Sequence, residues 1–341
     1  SLDGTARIWD ASSGRELLLL DHAPQALSAV AWSPDGSSLL TAGEDGSARV
    51  WDAASGDERL VLSPGDAPLT HGAWSPDGAR ILTGSRESAA VWDAETGELL
   101  ASQDAARRGL SSLAWAADGT RIVIGDLWVA TIWGTGAADE TAAAEAVAAP
   151  VTHEHVIPGM EMGSLVHASW SSDDSRLLTV STDSTAEIWD ATTGQGLARL
   201  LGHTADVRRG VWSPDDALVV TASDDGSARV WDSRSGLEVA RLTGHRGAVN
   251  DVVWSPEGAR VATAGADGSL RIWAVTAVDE IAAVDAGPQE HSRWSADGTL
   301  LITGGYGAFV WDPASGAELA RVEGDAAWNP IDGRLLTADE D

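Results

Sequence analysis

Polar and apolar positions alternate along this chain in short runs with the two-residue period of a half-buried strand, and no stretch shows the spacing of an amphipathic helix. Residues 203–243 show the pattern most clearly. Val207 to Trp212 reads as a strand, and Ser213-Pro214-Asp215 as a turn in which proline presets the first central φ and the aspartate caps a following amide. Leu218 to Ser223 is a second strand, Asp225-Gly226 supplies a tight positive-φ turn, and Ser227 to Trp231 alternates small or polar residues with apolar ones. Asp232 to Gly236 turns the chain into a fourth strand, Leu237 to Leu242. A sheet of four such short strands is too small to stand alone, so the unit needs neighbours.

The neighbours are copies of itself. Trp9, Trp51, Trp92, Trp133, Trp189, Trp231, Trp273 and Trp311 recur at intervals of 42, 41, 41, 56, 42, 42 and 38 residues. A second set, Trp32, Trp74, Trp115, Trp170, Trp212, Trp254, Trp294 and Trp328, interleaves with the first, and of the 17 tryptophans only Trp128 belongs to neither. A fixed period of this length is the mark of a repeat architecture.

Gly202-His203, Trp212-Ser213-Pro214-Asp215, Ser223-Asp224-Asp225-Gly226 and Trp231-Asp232 together resemble one unit of the WD-repeat β-propeller family, and the resemblance runs through nearly the whole chain. The heptapeptide Gly-Ser-Ala-Arg-Val-Trp-Asp stands twice, at 46–52 and 226–232. The resemblance implies an all-β propeller of four-stranded antiparallel blades, in which the Trp ending each third strand packs between blades and joins a side-chain network through its ring N–H. Carried over, that network is His203, Ser223, Asp225 and Trp231. Gly43 and Gly265 replace the serine beside His22, Asp45, Trp51 and beside His245, Asp267, Trp273, so those two units are expected to be less rigid. Asp216 is expected to be a surface turn residue, tolerant of loss where Asp225 is not.

The chain opens in mid-unit, with the turn Asp3-Gly4, a strand through Trp9-Asp10 and another near Glu16 to Leu20; it closes with strands near Trp328 and at Arg334 to Ala338. Joining these halves predicts a single eight-bladed propeller over 1–341 and hides the sheet edge each terminus would otherwise expose. The blades fall at about 23–63, 64–104, 105–151, 163–202, 203–243, 244–283, 284–322, and 323–341 with 1–22. A seven-bladed ring plus an extra unit is the alternative, because Asp341 and Asp3 both fall at the turn position. Residues 105–135 and 284–312 lose turn signals, and the 56-residue interval carries an insertion assigned to 136–163, expected as a loop on one face.

Composition narrows the chemistry. There is no Cys, and all 22 basic residues are Arg, which removes disulfides, thiolate nucleophiles, Cys-ligated metals, Schiff bases and the phosphate-binding lysine of P-loops. The formal charge of −30 disfavours nucleic acid and anionic membrane as partners. Many of the acids occupy turn positions demanded by the repeat, such as Asp52, Asp93, Asp190, Asp232 and Asp312. Adaptation to high salt or a high-GC genome would each suit the absence of Lys. No apolar run approaches the roughly 18 residues of a membrane-spanning helix, and the chain begins Ser1-Leu2-Asp3, which reads as part of a longer protein.

No cofactor is expected. His153-Glu154-His155 is the one close His pair, for which Glu161 or His167 could complete a metal site, but flexible loop residues are the stronger reading. Asp-rich turns such as 223–226 lack the spaced ligands of a calcium loop. GxSxG, HExxH and GxGxxG are absent, so an enzyme is not expected. Attention falls on the residues four before the second-set tryptophans: Ser28, Thr70, Ser111, Val166, Arg208, Asn250 and Glu290, which the resemblance places at the top opening of the propeller. They differ while the framework repeats, as partner-selecting residues do. Arg208 with Arg209 beside it would attract a carboxylate or phosphorylated side chain, unless Arg208 pairs with Asp206 or Glu290. The expected function is a non-catalytic scaffold or sensor binding a protein or peptide on the top face. The chain is expected to be a monomeric cytoplasmic ring within a larger bacterial signalling protein; a structural or designed ring without a ligand is the alternative.

Overall fold

The computed structural model describes residues 4–10, 15–22, 25–104, 110–126, 129–135, 152–158, 163–287, 289–305, 308–322, 325–329, 331 and 334–338. These form eight four-stranded antiparallel sheets, with no helix among them. Seven sheets are meanders of consecutive strands, which we number as blades 1 to 7: 27–62, 69–104, 110–158, 165–201, 207–243, 249–285 and 289–322. Blade 8 is shared by the two ends: Asp325–Trp328 and Arg334–Ala338 supply its inner strands, Thr5–Asp10 and Arg15–Asp21 its outer ones. The join is a regular ladder, with Ala6 opposite Ala338, Ile8 opposite Leu336 and Asp10 opposite Arg334. Eight blades therefore close the ring, and the seven-bladed alternative is excluded.

The insertion is not wholly a loop. Thr152–Pro158 is the outermost strand of blade 3 and pairs with Val129–Gly134, with Ala130 opposite Ile157 and Gly134 opposite Thr152. Its backbone satisfies the amides and carbonyls that the third strand would otherwise leave open, which is why the blade extends past residue 151. The rest of the proposed insertion, 136–151 and 159–162, lies outside the described residues, as does Trp128.

The core lies between blades. Trp231 packs with Leu178, Val180, Ile188 and Leu200 of the preceding blade, and Trp273 with Val220, Val230 and Leu242 of its own predecessor. Trp51 does the same against Ile8, Leu20 and Leu336, so the shared blade is gripped as the others are. Burying an indole of this size contributes on the order of 5 kcal/mol before entropy is set against it. At the seam the Trp32 ring N–H donates to Ala327 O (3.2 Å), Asn329 Nδ2 to Gly36 O (3.3 Å) and Arg334 to Ala53 O (3.0 Å). First strands of successive blades lie against one another around the centre. We call the face carrying the turns between second and third strands the upper face, and the one carrying the Ser-Pro-Asp turns the lower.

Candidate interaction site

At the upper end of the first strand in blades 1 to 7 the register against the second strand slips by one residue. The residues left unpaired are Ser28, Thr70, Ser111, Val166, Arg208, Asn250 and Glu290. A β-bulge takes a side chain out of the strand's strict alternation, so the non-repeating positions are also the ones the backbone re-aims. Ser28 Oγ donates to Ala42 O of its own blade and Leu69 O of the next, and Asn250 Nδ2 donates to Gln289 O of the next. Thr70 Oγ1 meets His71 Nδ1 at 2.9 Å and donates to Gly84 O, while Ser111 Oγ donates to Asp126 O. Glu290 lies on its strand; its side chain is outside the description.

The two adjacent arginines part company. Arg208 is bidentate to Asp224, with Nε and a terminal nitrogen at 2.7 and 2.5 Å from its two oxygens, and this bonding raises the guanidinium pKa further. Asp224, not Asp206, is the partner: its own amide donates to Asp206 O and holds the turn beside the strand. Half of the Arg208 side chain stays exposed (49%). Arg209 approaches Asp251 of blade 6, Nε to Oδ1 2.8 Å, close as an ion pair although its N–H is not aimed along that line. Buried Asp251 turns its other oxygen to the amide and hydroxyl of Ser292 in blade 7. Next to Arg209, burial first and then that positive charge push the His167 pKa down to about 3. Arg208 and Arg209 therefore do not combine into one anion seat; each is held by a carboxylate of the protein.

The framework network lies beneath this opening. His203 contacts Asp225 Oδ2 through Nδ1 (2.9 Å) and Thr221 Oγ1 through Nε2 (2.8 Å), and the Trp231 ring N–H donates to the same threonine oxygen (2.8 Å). Burial holds the His203 pKa below its usual value. Burial opposes ionisation of Asp225, but the Ser227 hydroxyl and His203 outweigh it and bring its pKa to about 2. A neutral imidazole donating from Nδ1 to a carboxylate, with Thr221 donating to Nε2, is the tautomer these bonds assign. Ser223 stands outside the relay: its hydroxyl donates to Ala205 O and accepts the Asp225 amide.

Thr221 was not singled out in the sequence, yet the signal is there. Trp9, Trp51, Trp92, Trp189, Trp231, Trp273 and Trp311 donate to Thr337, Thr41, Thr83, Thr179, Thr221, Thr263 and Thr303 at 2.6–3.0 Å. Only blade 3, with Ile124 at that position, departs from the series. With Thr41 and Thr263 in place, the relays of His22 and His245 form without the serine that Gly43 and Gly265 replace. Glycine makes room there: a Cβ on Gly265 would stand 2.2 Å from His245 Nδ1, and one on Gly43 2.9 Å from His22 Nε2.

Asp216 also differs from expectation. It sits at φ +56° where sister turns have glycine, is 8% exposed, and accepts from the amides of Ser172 and Asp173 and the Ser172 hydroxyl of the preceding blade. Asp174 does the same to the amides of Ala117 and Asp118. The suggested metal ligands are not brought together. His153 and His155 belong to the outermost strand of blade 3 and His167 to the innermost strand of blade 4, on the order of three strand spacings or 14 Å away in radius. Glu161 lies outside the described residues, and among those described no group of three His, Asp or Glu could hold a metal ion.

Eight radial blades with indoles between them define a β-propeller. The family model described as WD domain, G-beta repeat matches residues 15–52, 154–190, 194–232 and 236–274. The match at 15–52 starts on the outer strand of blade 8 and ends on the third strand of blade 1, so the sequence repeat runs one strand out of phase with the blade. The chain is similar to the crystal structure of the C-terminal WD40 domain of Sif2, with TM-score 0.78 and 22% identity over 92% of this chain and 95% of that one. No curated protein matches the sequence. Four stretches of the chain are thus WD repeats, and its fold is that of an eight-bladed β-propeller. WD-repeat propellers generally serve as protein-interaction scaffolds and are typically non-catalytic.

Proposed function

We propose that this chain is a non-catalytic scaffold or sensor module of a larger bacterial signalling protein, acting in the cytoplasm and binding a protein or peptide on its upper face. The observation that supports it is the coincidence of bulge and variability. Ser28, Thr70, Ser111, Arg208, Asn250 and Glu290 comprise five residue types on a framework that otherwise repeats, and each stands where the ladder releases a residue. Arg209, one residue on, ties three blades together below the opening. Arg208 and Asp224 offer a partner both signs of charge in one half-exposed pair.

The test is affinity capture from extract of the source cell with the wild-type chain and with Arg208→Ala, read alongside melting curves. A central contact predicts weakening by roughly 1–3 kcal/mol. The exposed pair itself is worth no more than about 1 kcal/mol to folding, so the melting transition should barely move. Full capture with a lowered transition would assign Arg208 to the framework.

A further inference from the structure

On the lower face the blades are joined by a recurring contact between an arginine and a tryptophan. In five of the eight blades an arginine opening the second strand lies over the first-strand tryptophan of the next blade. Arg80 covers Trp115, Arg121 Trp170, Arg176 Trp212, Arg260 Trp294 and Arg334 Trp32, with Cζ 4.5–5.1 Å from the ring centre. Each guanidinium also donates to a backbone carbonyl of that next blade: Gly119, Asp174, Asp216, Gly298 and Ala53, in the same order of blades 3, 4, 5, 7 and 1. In the remaining three blades the arginine is replaced. Leu218 and Leu300 pack in the clusters of Trp254 and Trp328 and cover them with carbon. Ser38 is too short to cover Trp74.

Where Ser38 stands, the space is open: a cavity of about 580 Å³ lined by Ser38, Trp74, Gly78, Ala94 and the turn acids around them. Gly78 and Ala94 hold the positions whose carbonyls receive the guanidinium in the sister blades, and no donor reaches either carbonyl among the described residues. Arg59 lies in the cavity wall, but Ser38 Oγ and Asp52 engage its guanidinium and it does not cover the ring. Asp77, Asp93 and Glu95 edge the opening, and among the described residues Glu95 makes no ion pair.

We propose that this notch between blades 1 and 2 is a seat for one arginine side chain of a protein partner, which takes in trans the place that Arg80 or Arg176 takes within the chain. The ring face supplies the cation–π contact, the two carbonyls the in-plane acceptors, and the acids the charge that favours guanidinium over a neutral group. The overall charge of −30 draws a basic segment toward it. This site is separate from the upper-face reading and does not rest on it.

The probe is the blocked tripeptide Ala-Arg-Ala, compared with its citrulline counterpart, which keeps the shape and loses the charge. Titration is followed by the indole N–H resonances, with that of Trp74 identified from Trp74→Phe. The expected result is a saturable shift of the Trp74 resonance with the arginine peptide, and binding of the citrulline peptide weaker by about tenfold or more. Ser38→Arg installs the side chain the sister blades already accommodate and should abolish the shift. Glu95→Gln, on an exposed turn, should weaken it several-fold without affecting folding. Equal binding of the two peptides, an undiminished titration in Ser38→Arg, or a response confined to other rings would each overturn the proposal. Arg208→Ala should titrate as wild type, so failure of the upper-face reading leaves this result intact.

Discussion

A single oxygen, Thr221 Oγ1, is shared between the Trp231 indole and the His203 imidazole, both of them buried. Valine has the shape of threonine without the hydroxyl, so Thr221→Val leaves the packing while stranding two polar groups. Each stranded group costs about 1–3 kcal/mol, which puts the loss at roughly 2–6 kcal/mol. Ser223→Ala removes a hydroxyl whose partners are the Ala205 carbonyl and the Asp225 amide, and should cost about 1 kcal/mol. Urea midpoints of the two variants check this: Thr221→Val should fall well below Ser223→Ala, and the reverse order would return the relay to the serine that the family resemblance suggested. Ser223 adjoins the turn and is as buried as Thr221, so burial does not separate them; the position two residues earlier faces the indole and carries the bond.

At the scale of strand and turn, the carboxylates of Asp174 and Asp216 act as clasps between successive lower-face turns. Both occupy a left-handed conformation that favours glycine, at a cost of about 1 kcal/mol, and both offset it with hydrogen bonds to the preceding blade. Asp216→Ala keeps the strained backbone and loses the bonds, so a destabilisation of about 1.5–3 kcal/mol is expected in thermal or urea unfolding, against about 0.5 for Ser235→Ala in an exposed turn. No difference between the two variants would show that the clasp is idle. Turn chemistry and strand alternation made most elements legible in the sequence, including the split blade, because each depends on neighbours within a few residues. The clasp was not legible, since Asp216 pairs with residues 43 and 44 positions away and its turn looks like any other. Thr152–Pro158 escaped for a related reason: its place is set by the open edge of Val129–Gly134, not by a turn signal of its own. The bulges at Ser28, Arg208 and Asn250 explain in turn why the positions four before Trp stood out: the register slip frees them from the pairing that fixes their neighbours.

At the scale of the ring, closure depends on Thr5–Asp10 being hydrogen-bonded on both sides, to Arg334–Ala338 inward and to Arg15–Asp21 outward. Ile8 and Leu20 of these strands are fully buried against Trp51 of blade 1, so removing them would bare an indole as well as a sheet edge. Trp9 would also no longer reach Thr337. The main contacts between blades join neighbours, as in other repeat proteins, but a closed ring has no terminal unit and each interface is backed by the rest of the circle. Deletion of residues 1–21 therefore converts a closed array into an open one with an unpaired second strand at 334–338 and an exposed face on blade 1. The truncated chain is expected to lose its single cooperative unfolding transition, melting over a broad range or aggregating through the bared edge. Adding residues 1–21 as a separate peptide should restore part of the cooperativity if the inner half of blade 8 remains in place. Calorimetry on the intact, truncated and complemented chains distinguishes these states, and an unchanged sharp transition in the truncated chain would show that seven blades hold the ring without the shared one.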